Sequence, residues 1–248
     1  MHRRVAQPAL LFCTLFFFFL ATGNSQTPKA SEEKSIEWTG LPQRTGGWHT
    51  LHADKGQVSI GFGALRIAPS SGTNLFRAPG GGFNMVNAPM VLASADKDFT
   101  LVARVSAQLV ERYDVGALVL YQDETHWAKL CFENSAHKEA TVVTVVTRDR
   151  SDDANSETIA SPFVYLALAR HGDEFSLHFS RDGREWRLAR HFEQAFADTL
   201  KVGFAAHSDA NPHFVVSFSE IAYRPAAPHN LRQLEADDLP TREPQRVR

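Results

Sequence analysis

Cysteine is scarce in this chain of 248 residues, which contains only Cys13 and Cys131. Cys13 lies within an N-terminal apolar stretch that we expect to be removed, so Cys131 would be the only cysteine of the mature chain. No intrachain disulfide could then form. A domain without disulfides in an oxidising compartment depends on its hydrophobic core, and roughly 200 residues bury enough surface for that. The sequence therefore predicts one sizeable domain.

A strong excess of one charge is also absent. The chain has 26 Lys and Arg against 28 Asp and Glu, a formal net charge of −2, and removal of Arg3 and Arg4 with the N-terminal segment makes it −4. Non-specific nucleic-acid binding needs clustered basic residues, whereas the few basic residues here are interspersed with acids. We therefore do not expect nucleic acid as a partner.

Long apolar runs are missing apart from one near the N-terminus. Two arginines precede the apolar residues 9–20, and a small polar run, residues 21–25, follows them. This order is typical of a secretory signal peptide, and about twelve apolar residues are too few to cross about 30 Å of hydrocarbon. We predict a signal peptide at residues 1–25 and a secreted or periplasmic protein that does not bind a membrane afterwards. An uncleaved signal anchor remains the alternative.

The composition divides the rest of the chain into three parts. Residues 26–37 are polar without periodicity, which predicts a flexible linker. Residues 38–223 are expected to form the folded domain. Residues 224–248 are rich in proline and charge with few large apolar residues, so we expect a disordered tail.

Within the predicted domain, short stretches alternate apolar and polar residues at a period of two, which indicates half-buried strands. Tight turns separate them, including an Asp-Gly pair at Asp182 that favours a hairpin. Only residues 192–198 have helical character. Many short strands with tight turns favour an all-β fold, an antiparallel two-sheet β-sandwich. The predicted strands are residues 58–62, 64–67, 99–106, 116–121, 126–133, 141–147, 164–170, 174–180, 185–191, 200–206 and 214–223.

Five segments in the same order resemble the domain family of unknown function related to the regulator of enolase (domain of unknown function 1349). They are residues 113–120 (YDVGALVL), 126–133 (HWAKLCFE), 142–148 (VVTVVTR), 180–186 (SRDGREW) and 202–206 (VGFAA). This family is part of the concanavalin A-like lectin and glucanase superfamily. The resemblance covers about residues 38–223 and implies a jelly roll with a carbohydrate-binding or accessory role. It implies no established reaction.

The most suggestive polar residues come from neighbouring predicted strands. Lys129 and Glu133 are four residues apart, so a period of two places them on one face of a strand together with Trp127. A tryptophan flanked by a lysine and a glutamate can hold a sugar by stacking and by charge-assisted hydrogen bonds. The candidate ligand-binding residues are Tyr113, Asp114, Trp127, Lys129, Glu133, Arg148 and Asp152.

Three alternatives remain open. The charged residues can instead form a structural ion-pair network on a sheet face. A glycan hydrolase or lyase would use Glu133 as acid or base and needs a second carboxylate, for which Asp114 and Asp152 are candidates. A protein-interaction domain of the cell envelope would show a large exposed apolar patch.

A metal site is the least favoured reading of the histidines. His207 and His213 flank a predicted turn and provide neither the oxygen ligands that calcium prefers nor a compact zinc set. We therefore predict no metal, no cofactor and no catalytic residue. A glycan is the partner expected, and the sequence does not indicate an oligomeric state.

Overall fold

The computed structural model describes residues 34–36 and 41–240 of the chain. The predicted signal peptide lies outside the described residues. The strands of the described part are β1 (Lys34–Ile36), β2 (Trp48–Leu51), β3 (Gly56–Gly61), β4 (Ala64–Pro69), β5 (Leu75–Arg77), β6 (Asn84–Val86), β7 (Met90–Ser94), β8 (Asp98–Ala107), β9 (Val115–Tyr121), β10 (His126–Asn134), β11 (Ala140–Arg148), β12 (Arg150–Thr158), β13 (Phe163–His171), β14 (Glu174–Ser180), β15 (Arg187–Glu193), β16 (Lys201–His207) and β17 (Val216–Arg224).

These strands form two large antiparallel sheets. The eight-stranded sheet has the order β1-β2-β7-β16-β9-β10-β11-β12, and the seven-stranded sheet has the order β15-β14-β13-β8-β17-β4-β3. The residues that face inward from both sheets form one hydrophobic core, in which Phe132, Phe204 and Phe218 are among the largest fully buried side chains. The two sheets confirm the predicted β-sandwich.

Strand β10 shows how alternation divides side chains between the two faces of the eight-stranded sheet. Leu130 and Phe132 point into the core between the sheets. Trp127 and Cys131 point the other way, into a second apolar cluster on the outer face of the sheet. Because side chains of a strand alternate, Lys129 and Glu133 also lie on that outer face.

Two further segments cover the outer faces of the sandwich. The hairpin of β5 and β6 lies over the eight-stranded sheet, where Leu75 is fully buried in the outer apolar cluster. On the seven-stranded sheet, Leu234 packs against Val102 and Ala167, with Trp186 beside them. Each outer face is thus partly covered by a segment that belongs to neither of the two large sheets.

The structure differs from the sequence-based expectations at both ends of the domain. Residues 34–36, expected in a flexible linker, pair with β2. Residues 225–240, expected to be disordered, contain the 3-10 helix Ala236–Asp238 and pack on the seven-stranded sheet through Leu234. The expectation failed because Leu234 and Leu239 meet an apolar patch that composition alone does not reveal.

Inside the domain, two expectations are wrong. Residues 192–198 form no helix; they finish β15 and continue without regular structure. The polar stretch after Arg148, where the sequence predicts no strand, is β12, an edge strand. An edge strand of this kind buries few side chains, so it lacks the alternation by which strands are recognised. In the described ranges, no helix is both long and apolar enough to cross a membrane.

Candidate functional site

A cavity of about 300 Å³ opens on the outer face of the eight-stranded sheet. This volume is at the lower end of the roughly 300–1,000 Å³ typical of small-molecule sites. The neighbouring strands β10 and β11 contribute Lys129, Glu133, Val143 and Val145 to its lining. The cavity is therefore built mainly on rigid sheet and not on loops alone.

Small side chains leave room at the base of this site. Ala117 of β9 is paired on one side with Cys131 of β10 and on the other with Ala205 of β16. Across this row of short side chains, the long side chain of Lys129 reaches the end of β16, where its Nζ atom lies 2.9 Å from Nε2 of His207. A bulkier residue in the row would occupy that path.

The Lys129 and His207 pair is almost wholly buried, with about 2% of each residue exposed. A lysine ammonium can only donate hydrogen bonds, so Nε2 of His207 must accept, and the ring proton lies on Nδ1. Burial, and then the nearby charge of Lys129, holds the pKa of His207 well below its usual range, so the ring is neutral. Nδ1 has no hydrogen-bond partner among the described residues.

Glu133 lies half-buried in the cavity, and its carboxyl group has no hydrogen bond or ion pair within the described part of the chain. Burial raises the pKa of Glu133 to about 7; Lys129 lowers it, whereas the carboxylates of Asp153 and Asp209 raise it further. Lys129 and Glu133 thus lie on the same face of β10, as predicted, but their side chains do not form an ion pair with each other.

Two more carboxylates line the cavity beside Glu133. Asp153 of β12 lies opposite Val145 in the register of β11 and β12, and it has no partner among the described side chains. Asp209 follows β16 and accepts a hydrogen bond of 2.7 Å from Nδ2 of Asn74. Three acidic groups thus face one cavity that contains a single lysine.

Aromatic side chains form the walls. Phe76 belongs to β5, and Phe83 lies in the turn between β5 and β6, where 39% of it is exposed. Tyr113 precedes β9 and is 38% exposed. Its backbone has a φ of 65°, a left-handed conformation that is unfavourable for an aromatic residue and that the surrounding structure must enforce.

Asp114 supplies that enforcement. Its carboxylate is fully buried and accepts hydrogen bonds from the backbone N–H groups of Val110 and Glu111, from Oγ of Ser208 at 2.6 Å and from Nδ2 of Asn211. With these four donors the oxygens have no capacity for a ligand. Asp114 is a positioning residue that ties the loop of Tyr113 to the segment after His207.

The structure places three of the seven predicted site residues, Tyr113, Lys129 and Glu133, in the cavity. The prediction that Trp127 lines an open groove is wrong, because its side chain has no exposed surface and belongs to the apolar cluster beneath the cavity. Sequence periodicity correctly gave its face but could not show that the hairpin and neighbouring strands cover it.

Arg148 and Asp152 lie outside the cavity. Arg148 donates to the backbone oxygen of Glu193 and borders a separate, shallower depression with His126. Asp152 forms an ion pair of 2.8 Å with Arg190. Asp152 and Asp153 are neighbours on β12, so their side chains point to opposite faces, and only the second reaches the cavity.

Six polar or aromatic lining residues were not predicted as ligand-binding candidates: Asn74, Phe76, Phe83, Asp153, His207 and Asp209. Five of them come from segments that carry no strand alternation. His207 is the last residue of β16, one residue beyond the predicted strand 200–206, and its partner Lys129 belongs to a strand two positions away in the sheet. Only the sheet order brings these residues together. No cluster of acidic, histidine and cysteine side chains in the described ranges is arranged to hold a metal.

Comparison with known proteins supports the fold. Residues 54–226 match the family described as Protein of unknown function (DUF1349). No curated protein matches the chain. A functionally unknown protein from Saccharomyces cerevisiae is similar in structure, with a TM-score of 0.64 and 22% identity, over 71% of this chain and 98% of that one.

Two glycoside hydrolase structures are also similar. Xylan β-1,4-xylosidase from Bacillus halodurans C-125 matches with a TM-score of 0.57 and 17% identity, over 79% of this chain and 40% of its own. The GH43 protein BlXynB from Bacillus licheniformis matches with a TM-score of 0.56 and 13% identity, over 74% and 39%. This chain therefore spans about 40% of the length of those enzymes. At these identities the likeness concerns the fold, and with the family match it confirms a concanavalin A-like jelly roll.

Proposed function

The chain belongs to the family described as Protein of unknown function (DUF1349), and we propose that this member binds a sugar unit in the cavity of its eight-stranded sheet. In this proposal the domain is a non-catalytic carbohydrate-binding or accessory module. One observation carries it: aromatic walls face carboxyl groups that form no hydrogen bond with any other described residue.

This combination matches the chemistry of a sugar. A pyranose ring has apolar C–H faces, which pack on aromatic side chains such as Phe83 and Tyr113, and hydroxyl groups at its edge. The carboxyl groups of Glu133 and Asp153 can accept hydrogen bonds from those hydroxyls, and bonds to charged acceptors are stronger than neutral ones. No hydrogen bond within the described part of the chain uses these carboxyl groups.

A screen of glycans and polysaccharides with the purified protein tests the proposal. We expect Phe83→Ala and Tyr113→Ala each to weaken binding about ten-fold, because each removes an aromatic wall. Phe62→Ala is the matched control. Phe62 is a fully exposed aromatic residue at the turn between β3 and β4, in the other sheet, and it does not line the cavity.

Two results would contradict the proposal. One is the absence of binding to every glycan in the screen. The other is binding that Phe62→Ala reduces as much as Phe83→Ala does, since binding would then not depend on the cavity.

The raised pKa of Glu133 favours a second candidate, cleavage of a glycan by general acid catalysis. An acid with a pKa of about 7 in a cavity with further carboxylates resembles the arrangement that glycosidases need. Asp114 and Asp152 do not provide the second carboxylate, because one is fully hydrogen-bonded and the other lies outside the cavity. Asp153 and Asp209 are the carboxylates that remain.

Incubation with bound oligosaccharides separates the two candidates. Release of new reducing ends that Glu133→Gln abolishes would establish catalysis. Binding without any release, at protein concentrations that saturate the oligosaccharide, would establish a non-catalytic module.

We also propose that the domain acts outside the cytoplasm. The support is the order of charge and hydropathy in residues 1–25, with Arg3 and Arg4 before the apolar stretch. Mass spectrometry of the secreted protein should find an N-terminus near residue 26. Retention of the full-length chain in the cytoplasm would contradict this.

A further inference from the structure

The cavity has an unbalanced charge. Among the described residues that line it, Lys129 is the only cation, against the three carboxyl groups of Glu133, Asp153 and Asp209. Lys129 is buried and its ammonium donates to His207, which is itself neutral. The cavity therefore becomes strongly negative when Glu133 is ionised.

The protein compensates buried or partly buried carboxylates elsewhere. Asp114 accepts four hydrogen bonds, and Asp238 accepts from the backbone and the ring of His229. Glu133 is half-buried and has no such partner in the described part of the chain, and the exposed Asp153 beside it has none either. Since a buried polar group without partners is costly, a group from outside the chain is expected to pair with Glu133.

His207 adds a separate requirement. Its ring is almost wholly buried and lines the cavity, and the proton on Nδ1 has no acceptor in the described structure. An N–H donor calls for an oxygen on the ligand, whereas the carboxyl groups call for hydrogen-bond donors. A ligand that carries both an oxygen acceptor and strong donors would satisfy these groups.

The aromatic walls of the cavity further limit the kind of ligand that it can bind. Phe76, Phe83 and Tyr113 present aromatic rings around the acidic groups. Aromatic faces attract organic cations, and they do so more strongly when the cation is partly desolvated. Acidic groups enclosed by aromatic rings are thus suited to a cationic ligand and unsuited to an anionic one.

We infer that the sugar bound in this cavity carries a protonated amino group, which lies between the carboxyl groups of Glu133 and Asp153, beside hydroxyl groups. This inference deepens the proposed function and rests on it. Sugars with a carboxylate or a sulfate group would be repelled by the same carboxyl groups.

The electrostatics of Glu133 support the inference. Its neighbours in the cavity are Lys129, Asp153, Asp209 and the neutral His207, and the two aspartates contribute to raising its pKa. An ammonium group beside Glu133 would offset that repulsion and stabilise the ionised carboxylate. An uncharged hydroxyl at the same position would donate a hydrogen bond but bring no positive charge, so it would offset less of the repulsion.

Four oligosaccharides of equal length test the charge preference: a β-1,4-linked glucosamine tetramer, its N-acetylated counterpart, cellotetraose and a glucuronic acid tetramer. The first three share one backbone and differ at a single substituent, which is an ammonium, an acetamide or a hydroxyl. With the purified protein at about pH 7, we expect the glucosamine tetramer to bind at least about ten-fold more tightly than cellotetraose. We expect the glucuronic acid tetramer not to bind.

Two neighbouring variants connect the preference to the cavity. Asp153→Asn should reduce the preference for the glucosamine tetramer by about ten-fold while affecting cellotetraose little. Asp152→Asn is the matched control, because Asp152 lies next to it on β12 but pairs with Arg190 outside the cavity. It should leave the preference unchanged.

The outcomes are distinguishable. Equal or tighter binding of cellotetraose, or binding of the glucuronic acid tetramer, overturns the charge inference and leaves the proposed sugar site standing. An equal effect of Asp152→Asn and Asp153→Asn also overturns it. If none of the four oligosaccharides binds and the wider glycan screen is negative as well, the proposed function fails together with the inference.

Discussion

The two outer faces of this sandwich are covered in different ways. Residues 225–240 come after β17 in the chain, and their Leu234 packs on the seven-stranded sheet against Val102 and Ala167. The hairpin of β5 and β6 covers only part of the eight-stranded sheet and leaves a cavity of about 300 Å³ beside it.

Several polar groups on the seven-stranded face find partners within the chain, although Oγ of Ser176 and Nε1 of Trp186 have none among the described residues. Oγ1 of Thr100 donates to the backbone oxygen of Ala226, and Nε2 of His178 donates to that of Leu231 at 2.9 Å. Burial lowers the pKa of His178 to about 4, so the ring is neutral at physiological pH and its bond to the backbone is compatible with a buried position.

The eight-stranded face differs because its unpaired groups include carboxyl groups and line a cavity. Glu133, Asp153 and Nδ1 of His207 have no partners among the described residues. Unpaired carboxyl groups around a cavity indicate a binding site, whereas the seven-stranded face is covered by packed chain and serves the stability of the fold. Four substitutions test this difference between the two faces.

The largest effect is expected from Trp127→Ala, which removes a fully buried side chain beneath the cavity. A buried tryptophan replaced by alanine costs about 3–5 kcal/mol through lost burial and the void that remains. Chemical denaturation measures the loss. Phe83→Ala, at the exposed wall of the cavity, is the control, with an expected loss of under about 1 kcal/mol. Equal losses would mean that Trp127 is not more deeply buried than Phe83.

Glu133→Gln should reveal the strain of an unpaired acid. The pKa of Glu133 is raised in the folded state from 4.5 to about 7, so the folded protein holds a proton that the unfolded chain releases. That contribution to stability is lost as the pH rises through about 7. Above that pH, the variant should be more stable than the wild type by up to about 3 kcal/mol.

Below about pH 4.5 the two proteins should have similar stability, because the acid is protonated in both states. Denaturation curves at several pH values provide the measurement. A difference that does not change with pH would mean that burial does not raise the pKa of Glu133.

Leu234→Ala tests the other face. Truncating a buried leucine typically costs about 2–5 kcal/mol, and we expect about 2 kcal/mol because residues 225–240 can readjust near the end of the domain. The exposed neighbour Gln233 gives the control variant Gln233→Ala, expected within about 0.5 kcal/mol of the wild type. Sugar binding should be unchanged in both variants, since the cavity is on the opposite sheet.

The smallest effect concerns the backbone of Tyr113. Tyr113→Gly and Tyr113→Ala both remove the aromatic wall and should weaken sugar binding equally. Glycine adopts a φ of 65° without steric cost, so the glycine variant should be about 1 kcal/mol more stable than the alanine variant. Greater stability of the alanine variant would show that the backbone does not keep this conformation in solution.

Alternation of apolar and polar residues predicted the strands well where one face of the strand lies in the core. The predicted strand 174–180 coincides with β14, and residues 126–133 differ from β10 by one residue. It failed for β12, whose side chains are mostly exposed, and for β5 and β6, which are only three residues long. Such strands form because neighbouring strands offer hydrogen bonds, and their own side chains do not indicate it.

The β-sandwich and the face on which Lys129 and Glu133 lie could be predicted from the residues alone, because alternation at a period of two depends only on local backbone geometry. Which side chains share the cavity could not, because it depends on tertiary packing. The strand order brings Lys129 to His207, 78 residues away, and the same packing buries Trp127 and leaves Asp153 open. Contacts between distant segments depend on the order of the strands and the packing of the sheets, which local sequence patterns do not indicate.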